Sequence, residues 1–261
     1  AEGEILNESN TQNKIEDPGI SPLSQNCKKF IQSGGGKYIL VAMGQKVTVF
    51  SSSLSHIATI TLEGEEGINC LSISEDGKYL FIGGEIHFYM WNFVDLIEFA
   101  LGITSEPPKP ITSISTGYNP KLYVRDNLIL EINEDSPENV RIYRFSEVGA
   151  EKIGEYESED FISSALIVSE GVLFIADMSY NLKILNILNA PPFLTEILTI
   201  RDMEDEIIYF FPNGREVLAV DLSGNLITFS TSGSIISSHN LEEIIGDFPT
   251  SAVKINNQIY I

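Results

Sequence analysis

A repeating pattern constrains the fold of this chain more than any other feature. A small or polar turn followed by a short apolar strand recurs every 41 to 48 residues. Intervals of about 40–50 residues that hold several short strands are typical of β-propeller blades. The six segments that carry the pattern are Gly36–Val41, Gly77–Ile82, Asn127–Leu130, Gly171–Ile175, Glu216–Val220 and Gln258–Ile261.

Each repeat divides into four predicted strands separated by turn residues. In the fourth repeat the strands span 162–169, 172–176, 181–187 and 193–200, and in the fifth they span 207–211, 216–221, 225–230 and 234–238. The second repeat is longer because residues 91–102 form an insert whose apolar side chains recur at helical spacing. The predicted fold is therefore all-β: a β-propeller of four-stranded antiparallel blades, with five full blades and a partial sixth in this chain.

Two regions follow from this pattern. Residues 1–26 are polar, contain Pro18 and Pro22, and predict an N-terminal linker or arm with one candidate strand at Gly3–Asn7. Residues 27–261 form the propeller, whose sixth repeat stops after two strands. Because a propeller hides its strand edges by closing into a ring, we expect further strands after Ile261 or from a partner. The alternative is that the N-terminal strand closes a ring of five or six blades imperfectly.

Composition supports the all-β prediction and excludes some partners. The chain has 36 Ile but only 10 Ala, and β-branched residues favour strands whereas Ala favours helices. The formal charge of −21 disfavours nucleic acid, whose binding depends on cationic side chains. No apolar run reaches the roughly 20 residues of a membrane-spanning helix, so membrane insertion is not expected. Cys27 and Cys70 lack the spacing of a zinc site, and whether they form a disulfide is left open.

Two repeats resemble known propeller families. Residues 162–200 resemble the LVIVD repeat of secreted and cell-surface propellers, although Asn186 stands where that family usually has Asp. Residues 67–92 resemble a WD40 repeat, although Trp91-Asn92 replaces the usual Trp-Asp pair. The first resemblance implies an extracellular or surface location and the second a cytosolic one, so localisation stays open. The stretches that carry the resemblances are Leu173–Asp177, Asn181–Ile187 and Asn189–Pro192 for LVIVD, and Ser74–Leu80 and Met90–Asn92 for WD40.

The chain contains no recognisable catalytic motif. It has no GxSxG elbow, HExxH helix, P-loop or GxGxxG turn. The three histidines stand alone in strand-like stretches or turns, which gives a His-dependent acid–base mechanism little support. We therefore predict a non-enzymatic protein with no catalytic residues and no metal ligands. No cofactor is expected, with calcium left open.

Acidic residues are predicted to gather on one face. Loops between blades, and turns between the second and third strands of a blade, open on the same side of a propeller. Nearly half of the acidic residues map to them, among them Glu131, Asp177 and Asp221. A concentration of one charge steers oppositely charged partners; the alternative is that these acids serve solubility and prevent edge pairing. Four aromatic residues of the same loops, Tyr118, Phe161, Tyr180 and Phe248, could anchor a partner or cap the blade interior. For Phe161 and Phe248, each directly before a first strand, packing is favoured over partner binding. The predicted binding residues are Glu65, Glu66, Glu159, Asp160, Asp205 and Glu206.

These observations predict an interaction scaffold that recognises a basic segment of a protein partner through the acidic loop face. One alternative is a hydrolase that uses carboxylates or a divalent cation at the central channel. Another is an extracellular adhesion protein.

Overall fold

A computed structural model describes most of the repeated region. The described residues are 29–32, 37–61, 67–133, 136, 139–168, 171–189, 191–201, 203–213, 215–241, 253–255 and 258–260. The predicted linker 1–26 with its strand Gly3–Asn7, and also Cys27, Phe248 and Ile261, lie outside them.

The described strands form five four-stranded antiparallel sheets, in each of which the strands pair in chain order, and one two-stranded sheet. The first sheet contains β1 (Lys29–Gln32), β2 (Tyr38–Met43), β3 (Lys46–Ser51) and β4 (His56–Thr61). The second contains β5 (Cys70–Ile73), β6 (Tyr79–Gly83), β7 (His87–Asn92) and β8 (Thr112–Ser115), with the helix α1 (Phe93–Ala100) between β7 and β8. The third contains β9 (Lys121–Arg125), β10 (Leu128–Ile132), β11 (Asn139–Ser146) and β12 (Gly149–Glu157).

The fourth and fifth sheets have the same plan. The fourth contains β13 (Ile162–Val168), β14 (Val172–Asp177), β15 (Leu182–Ile187) and β16 (Leu194–Ile200). The fifth contains β17 (Ile207–Asn213), β18 (Glu216–Asp221), β19 (Asn225–Ser230) and β20 (Ile235–Asn240). The strands β21 (Val253–Ile255) and β22 (Gln258–Tyr260) pair as the two-stranded sheet. The predicted four-strand division of the fourth and fifth repeats is confirmed to within two residues at every strand end.

The repeat pattern corresponds to the second strand of each sheet. Val41, Ile82, Leu130, Ile175 and Val220 end the repeated apolar segments, and they lie in β2, β6, β10, β14 and β18. The helical insert is also confirmed as α1. Its N-cap is Asn92, whose side-chain oxygen accepts hydrogen bonds from the amides of Val94 and Asp95 at 3.0 and 3.4 Å, as expected for an Asn before a first helical turn. Asn92, the residue after Trp91, thus caps a helix.

The sheets stack face to face in chain order. One apolar core joins the first and second sheets, and equivalent cores join the second to the third, the third to the fourth, and the fourth to the fifth. The first strand of each sheet also contacts the first strand of the next. This stacking around the first strands is the β-propeller arrangement, and the sheets are called blades 1 to 5 below.

Strand β14 shows why the repeated segments are continuously apolar. All six of its residues are buried. Successive side chains of a strand point to opposite faces, and a neighbouring blade covers each face of β14. Leu173 and Ile175 pack in the core shared with blade 3, whereas Phe174 and Ala176 pack in the core shared with blade 5. A strand that is covered on both faces needs mainly apolar residues, and the first five residues of β14, Val172–Ala176, provide them.

Candidate functional site

Backbone hydrogen bonds join the loops on one side of the blades. The loop that leaves a blade donates an amide hydrogen to a carbonyl oxygen in the turn between that blade's second and third strands. This bond occurs in four blades, at Ile68 to Gly44 (2.9 Å), Asn119 to Glu85 (2.8 Å), Met203 to Tyr180 (2.9 Å) and Leu241 to Gly224 (2.8 Å). The two sets of loops therefore share one face, which we call the loop face.

Blades 4 and 5 use one sequence device to close these turns. The turns read Asp177-Met-Ser-Tyr-Asn181 and Asp221-Leu-Ser-Gly-Asn225. Each aspartate is buried and accepts hydrogen bonds from the backbone amide and the side-chain amide of the asparagine four residues later. Short polar side chains commonly bond to nearby backbone in this way in turns. The aspartates were counted at the sequence level as loop acids of the face, but they are buried and belong to the turn structure.

A second carboxylate ties each of these turns to the loop that enters the same blade. The Ser179 hydroxyl donates to Asp160 Oδ2 at 2.6 Å, and the Ser223 hydroxyl donates to Asp205 Oδ2. The remaining carboxylate oxygens accept the amides of Phe161 and Glu206 at 2.7 and 2.8 Å. We call these two arrangements the carboxylate clamps. Ser179 and Ser223 are not among the predicted binding residues, although the Asp-x-Ser-x-Asn spacing recurs in the sequences of the two turns.

Hydrogen bonding places the two clamps on neighbouring segments, because the Ser163 hydroxyl, three residues after Asp160, donates to the carbonyl of Ile207, two residues after Asp205, at 2.7 Å. The pKa of the Glu206 carboxyl is raised above its usual 4.5, first by partial burial and then by the charges of Asp205 and Asp160. The Ser179 hydroxyl, followed by the Phe161 amide, holds the pKa of Asp160 below its usual 3.8. Three predicted binding residues are thus close enough to interact, although they come from two inter-blade loops.

The other predicted binding residues have different settings. Glu159 is exposed and forms an ion pair with exposed Arg201 at 3.7 Å, a kind of pair that contributes little to stability. Within the described loops of blades 4 and 5 on this face, Arg201 is the only basic residue. Glu65 and Glu66 lie outside the described residues.

Blade 3 places an acid inside the protein. The sequence places Glu131 in the turn between the second and third strands, on the loop face, but it lies within β10 and is fully buried. Its carboxylate accepts hydrogen bonds from Tyr143 Oη at 2.6 Å and Arg141 Nη1 at 3.1 Å, because Arg141 is its direct partner across the β10–β11 pair. Burial, and then the bond to Glu131, raise the pKa of Tyr143. This acid adds structure to the blade rather than charge to the surface.

Neutral groups join the loops around blades 2 and 3. The Asn69 side-chain amide donates to Asn119 Oδ1 at 2.7 Å and to the Gly84 carbonyl at 3.0 Å. Asn133 is buried, and its side-chain oxygen accepts the Gly117 amide at 3.0 Å. The loop face is therefore held together by amides at these blades and by carboxylates at blades 4 and 5.

Large apolar side chains are exposed on the same face. Tyr118, Phe161, Met178, Tyr180 and Leu222 are each about half exposed, between 45 and 55%. The packing role predicted for Phe161 is therefore wrong, because a side chain 52% exposed does not cap the blade interior. Met178 and Leu222 occupy equivalent turn positions in blades 4 and 5.

Two concave regions lie away from the carboxylate clamps. One of about 520 Å³ lies between β4, α1 and the proline-rich segment 107–110. Another of about 410 Å³ is lined by the turns at 74–79, 126–127 and 145–147, on the opposite face. Among the described residues, no group of three or more His, Cys, Asp or Glu is placed to hold a metal ion. In the same part of the chain, no helix is long and apolar enough to cross a membrane. Cys70 is buried between blades 2 and 3.

Comparisons with known proteins support the fold. No family model and no curated protein matches this sequence. Among solved structures, Kluyveromyces lactis Hsv2 aligns with a TM-score of 0.64 at 12% identity, over 83% of this chain and 64% of that one. A second structure of that protein aligns with the same TM-score at 11% identity over 83% and 63%. A chain from a mitotic checkpoint complex aligns with a TM-score of 0.62 at 10% identity, over 82% of this chain and 66% of that one. This chain thus spans less than two thirds of the length of each of these neighbours, and the likeness supports a propeller fold.

Proposed function

We propose that this protein is a non-enzymatic interaction scaffold that recognises a basic segment of a partner through the loop face of blades 4 and 5. The observation that carries the proposal is that Asp160, Asp205 and Glu206 lie on neighbouring segments, which the hydrogen bond from Ser163 to Ile207 joins; the charges of the two aspartates also raise the pKa of Glu206. Preorganised charge of one sign attracts the opposite charge and raises the rate of encounter. One of the structural neighbours was solved in a multi-protein complex, which agrees with a scaffold role.

A variant that tests the charge of the loop face should leave the hydrogen bonds of the carboxylate clamps intact. Asp160 and Asp205 each bond to a serine and a backbone amide, so replacing them would disturb the loops as well as the charge. A cleaner variant reverses Glu159, Glu204 and Glu206 to Lys. The control reverses Glu75, Glu106 and Glu147 to Lys, because these acids lie outside the loop face and the net charge changes equally.

Fluorescence anisotropy with a labelled peptide of alternating Lys and Ser, at low ionic strength, measures the binding. We expect the loop-face variant to bind about tenfold more weakly and with a smaller dependence on salt, since exposed charges are screened as salt rises. The control variant should retain most of the affinity. Equal losses in both variants would mean that only net charge matters, and the proposal would fail.

Calcium at this face stays a prediction, and calorimetric titration with calcium chloride would test it. The hydrolase and adhesion alternatives also stay predictions, and none of the contacts described above supports either of them.

A further inference from the structure

Large apolar side chains are exposed beside the carboxylate clamps. Single exposed apolar residues are common on protein surfaces and need no explanation. Here, however, Phe161, Met178, Tyr180 and Leu222 all project from loops of one face in two adjacent blades. We call these four residues the apolar patch.

Hydrogen bonds connect the segments that carry the patch. The amide of Met178 donates to the carbonyl of Phe161 at 2.8 Å, and the amide of Met203 donates to the carbonyl of Tyr180 at 2.9 Å. The segment that contains Met203 continues to Asp205, which is clamped by Ser223. The amide of Leu222 in turn donates to the carbonyl of Glu206 at 2.8 Å. The apolar and acidic residues therefore belong to one connected series of loops.

Tyr180 is held in a conformation that its side chain disfavours. Its φ is +61°, in the left-handed region, and the equivalent residue in blade 5 is Gly224, with φ of +78°. Glycine adopts this conformation without steric cost, whereas a residue with a Cβ atom does not. Tyr180 is nevertheless 45% exposed, so packing offsets the strain only in part. A strained, exposed aromatic side chain in a loop is a reason to suspect binding.

We infer that the apolar patch and the adjacent carboxylates together bind a linear peptide segment of a partner protein in which basic and apolar side chains alternate. Tyr180 and Phe161 supply aromatic anchors, and Met178 supplies a flexible contact that adapts to different apolar side chains. Asp160, Asp205 and Glu206 face the basic side chains, and each clamped carboxylate oxygen can still accept another hydrogen bond. Because the clamps hold the loops in place before binding, little ordering cost is added. The inference rests on the proposed function and specifies the chemistry of its partner.

The deciding variant is Tyr180→Gly, which copies the turn of blade 5. It removes the aromatic ring while relieving the left-handed strain, so thermal stability should be kept or increased. The matched control is Leu54→Gly. Leu54 is also exposed and left-handed, with φ of +64°, but it lies in the β3–β4 turn on the opposite face.

Two labelled peptides separate the apolar contribution from the charge. One alternates Lys with Leu and the other alternates Lys with Ser, and both are titrated by anisotropy against the full chain. We expect Tyr180→Gly to weaken the Lys/Leu peptide about fivefold, the size of a significant aromatic contact, and to leave the Lys/Ser peptide unchanged. Leu54→Gly should change neither affinity.

Failure of this inference is distinguishable from failure of the proposed function. If Tyr180→Gly binds both peptides as the unaltered chain does, while reversal of Glu159, Glu204 and Glu206 still weakens both, the face is only electrostatic and the inference is overturned. If that charge reversal also has no effect, the proposed function fails as well. If sedimentation shows self-association that Tyr180→Gly abolishes, a second copy covers the patch, and the partner peptide is overturned.

Discussion

The loops of blades 2 and 3 differ from those of blades 4 and 5 in the side chains that hold them together. Both pairs must attach the turn between their second and third strands to the inter-blade loops. Around blades 2 and 3 the side-chain amides of Asn69, Asn119 and Asn133 do so, and a fully buried acid, Glu131, is paired with Arg141. In blades 4 and 5, carboxylates form the attachments, and Glu206 is left with a raised pKa.

This difference teaches that counting acids along the sequence does not measure surface charge. Glu131, Asp177 and Asp221 are acids of the loop region, yet all three are buried and bonded within the protein. Glu159 and Glu204, by contrast, are exposed at the loop face of blades 4 and 5. Variants that remove individual acids and their partners from the two regions test this conclusion.

The largest effect is expected from the buried acid of blade 3. Glu131→Ala would leave Arg141 and Tyr143 without their buried partner, and removing one member of a buried pair typically costs about 3–5 kcal/mol. Because Arg141 keeps some exposure, we expect a loss of about 3 kcal/mol in the free energy of unfolding, measured in urea. The control is Glu155→Ala, which removes an exposed acid from the same arginine and should cost less than about 1 kcal/mol. Similar losses for the two variants would show that Glu131 has no special structural role.

The next largest effect is a difference in unfolding free energy between a variant of the blade 4 turn and a variant of the loop that enters blade 2. Asp177→Ala removes a buried carboxylate that accepts from Ser158, Ser179 and Asn181, and unsatisfied buried groups cost about 1–3 kcal/mol each. We expect a loss of about 2–3 kcal/mol in unfolding free energy. The neutral counterpart, Asn69→Ala, should lose only about 1 kcal/mol, the usual net contribution of an uncharged hydrogen bond. A larger loss at Asn69 would reverse the proposed contrast between the two regions.

A smaller effect concerns the clamp of blade 4. Ser179→Ala removes the hydrogen bond that does most to lower the pKa of Asp160, so this pKa should rise toward 3.8, as measured by NMR titration of the carboxyl carbon. A group whose folded pKa is lowered stabilises the fold above its unfolded pKa and loses that contribution as pH falls through the folded value. The variant should therefore lose part of the stability difference between neutral pH and the acid range. An unchanged titration would show that the serine does not bond to the carboxylate.

The smallest effect concerns Glu206, for which stability changes with pH in the opposite direction. The folded pKa of Glu206 is raised above 4.5, so the folded state binds more protons than the unfolded state just above that pH. Stability should then fall slightly as pH rises through this window. Glu206→Gln removes this decrease, and the two proteins can be compared by thermal melts in a series of buffers. A decrease that persists in the variant would have to come from another group.

The sequence allowed much of the fold to be predicted, because strand chemistry is local. Strand β14 could be recognised since a strand buried on both faces is apolar along most of its length, and α1 could be recognised from helical spacing. The burial of Glu131 could not be predicted, because it depends on Arg141 ten residues later and on the neighbouring blade. The exposure of Phe161 was also missed, since a residue directly before a strand can point inward or outward.

The sequence by itself therefore determined the repeats, the strands within them and the turns that separate them, because each depends on residues near one another in the chain. Only the tertiary structure decided which acids remain at the surface and which loops meet. Asp160 and Glu206 are 46 positions apart along the chain, and their charges interact because blades 4 and 5 stack side by side. The stacking of blades, rather than any single repeat, creates the candidate site.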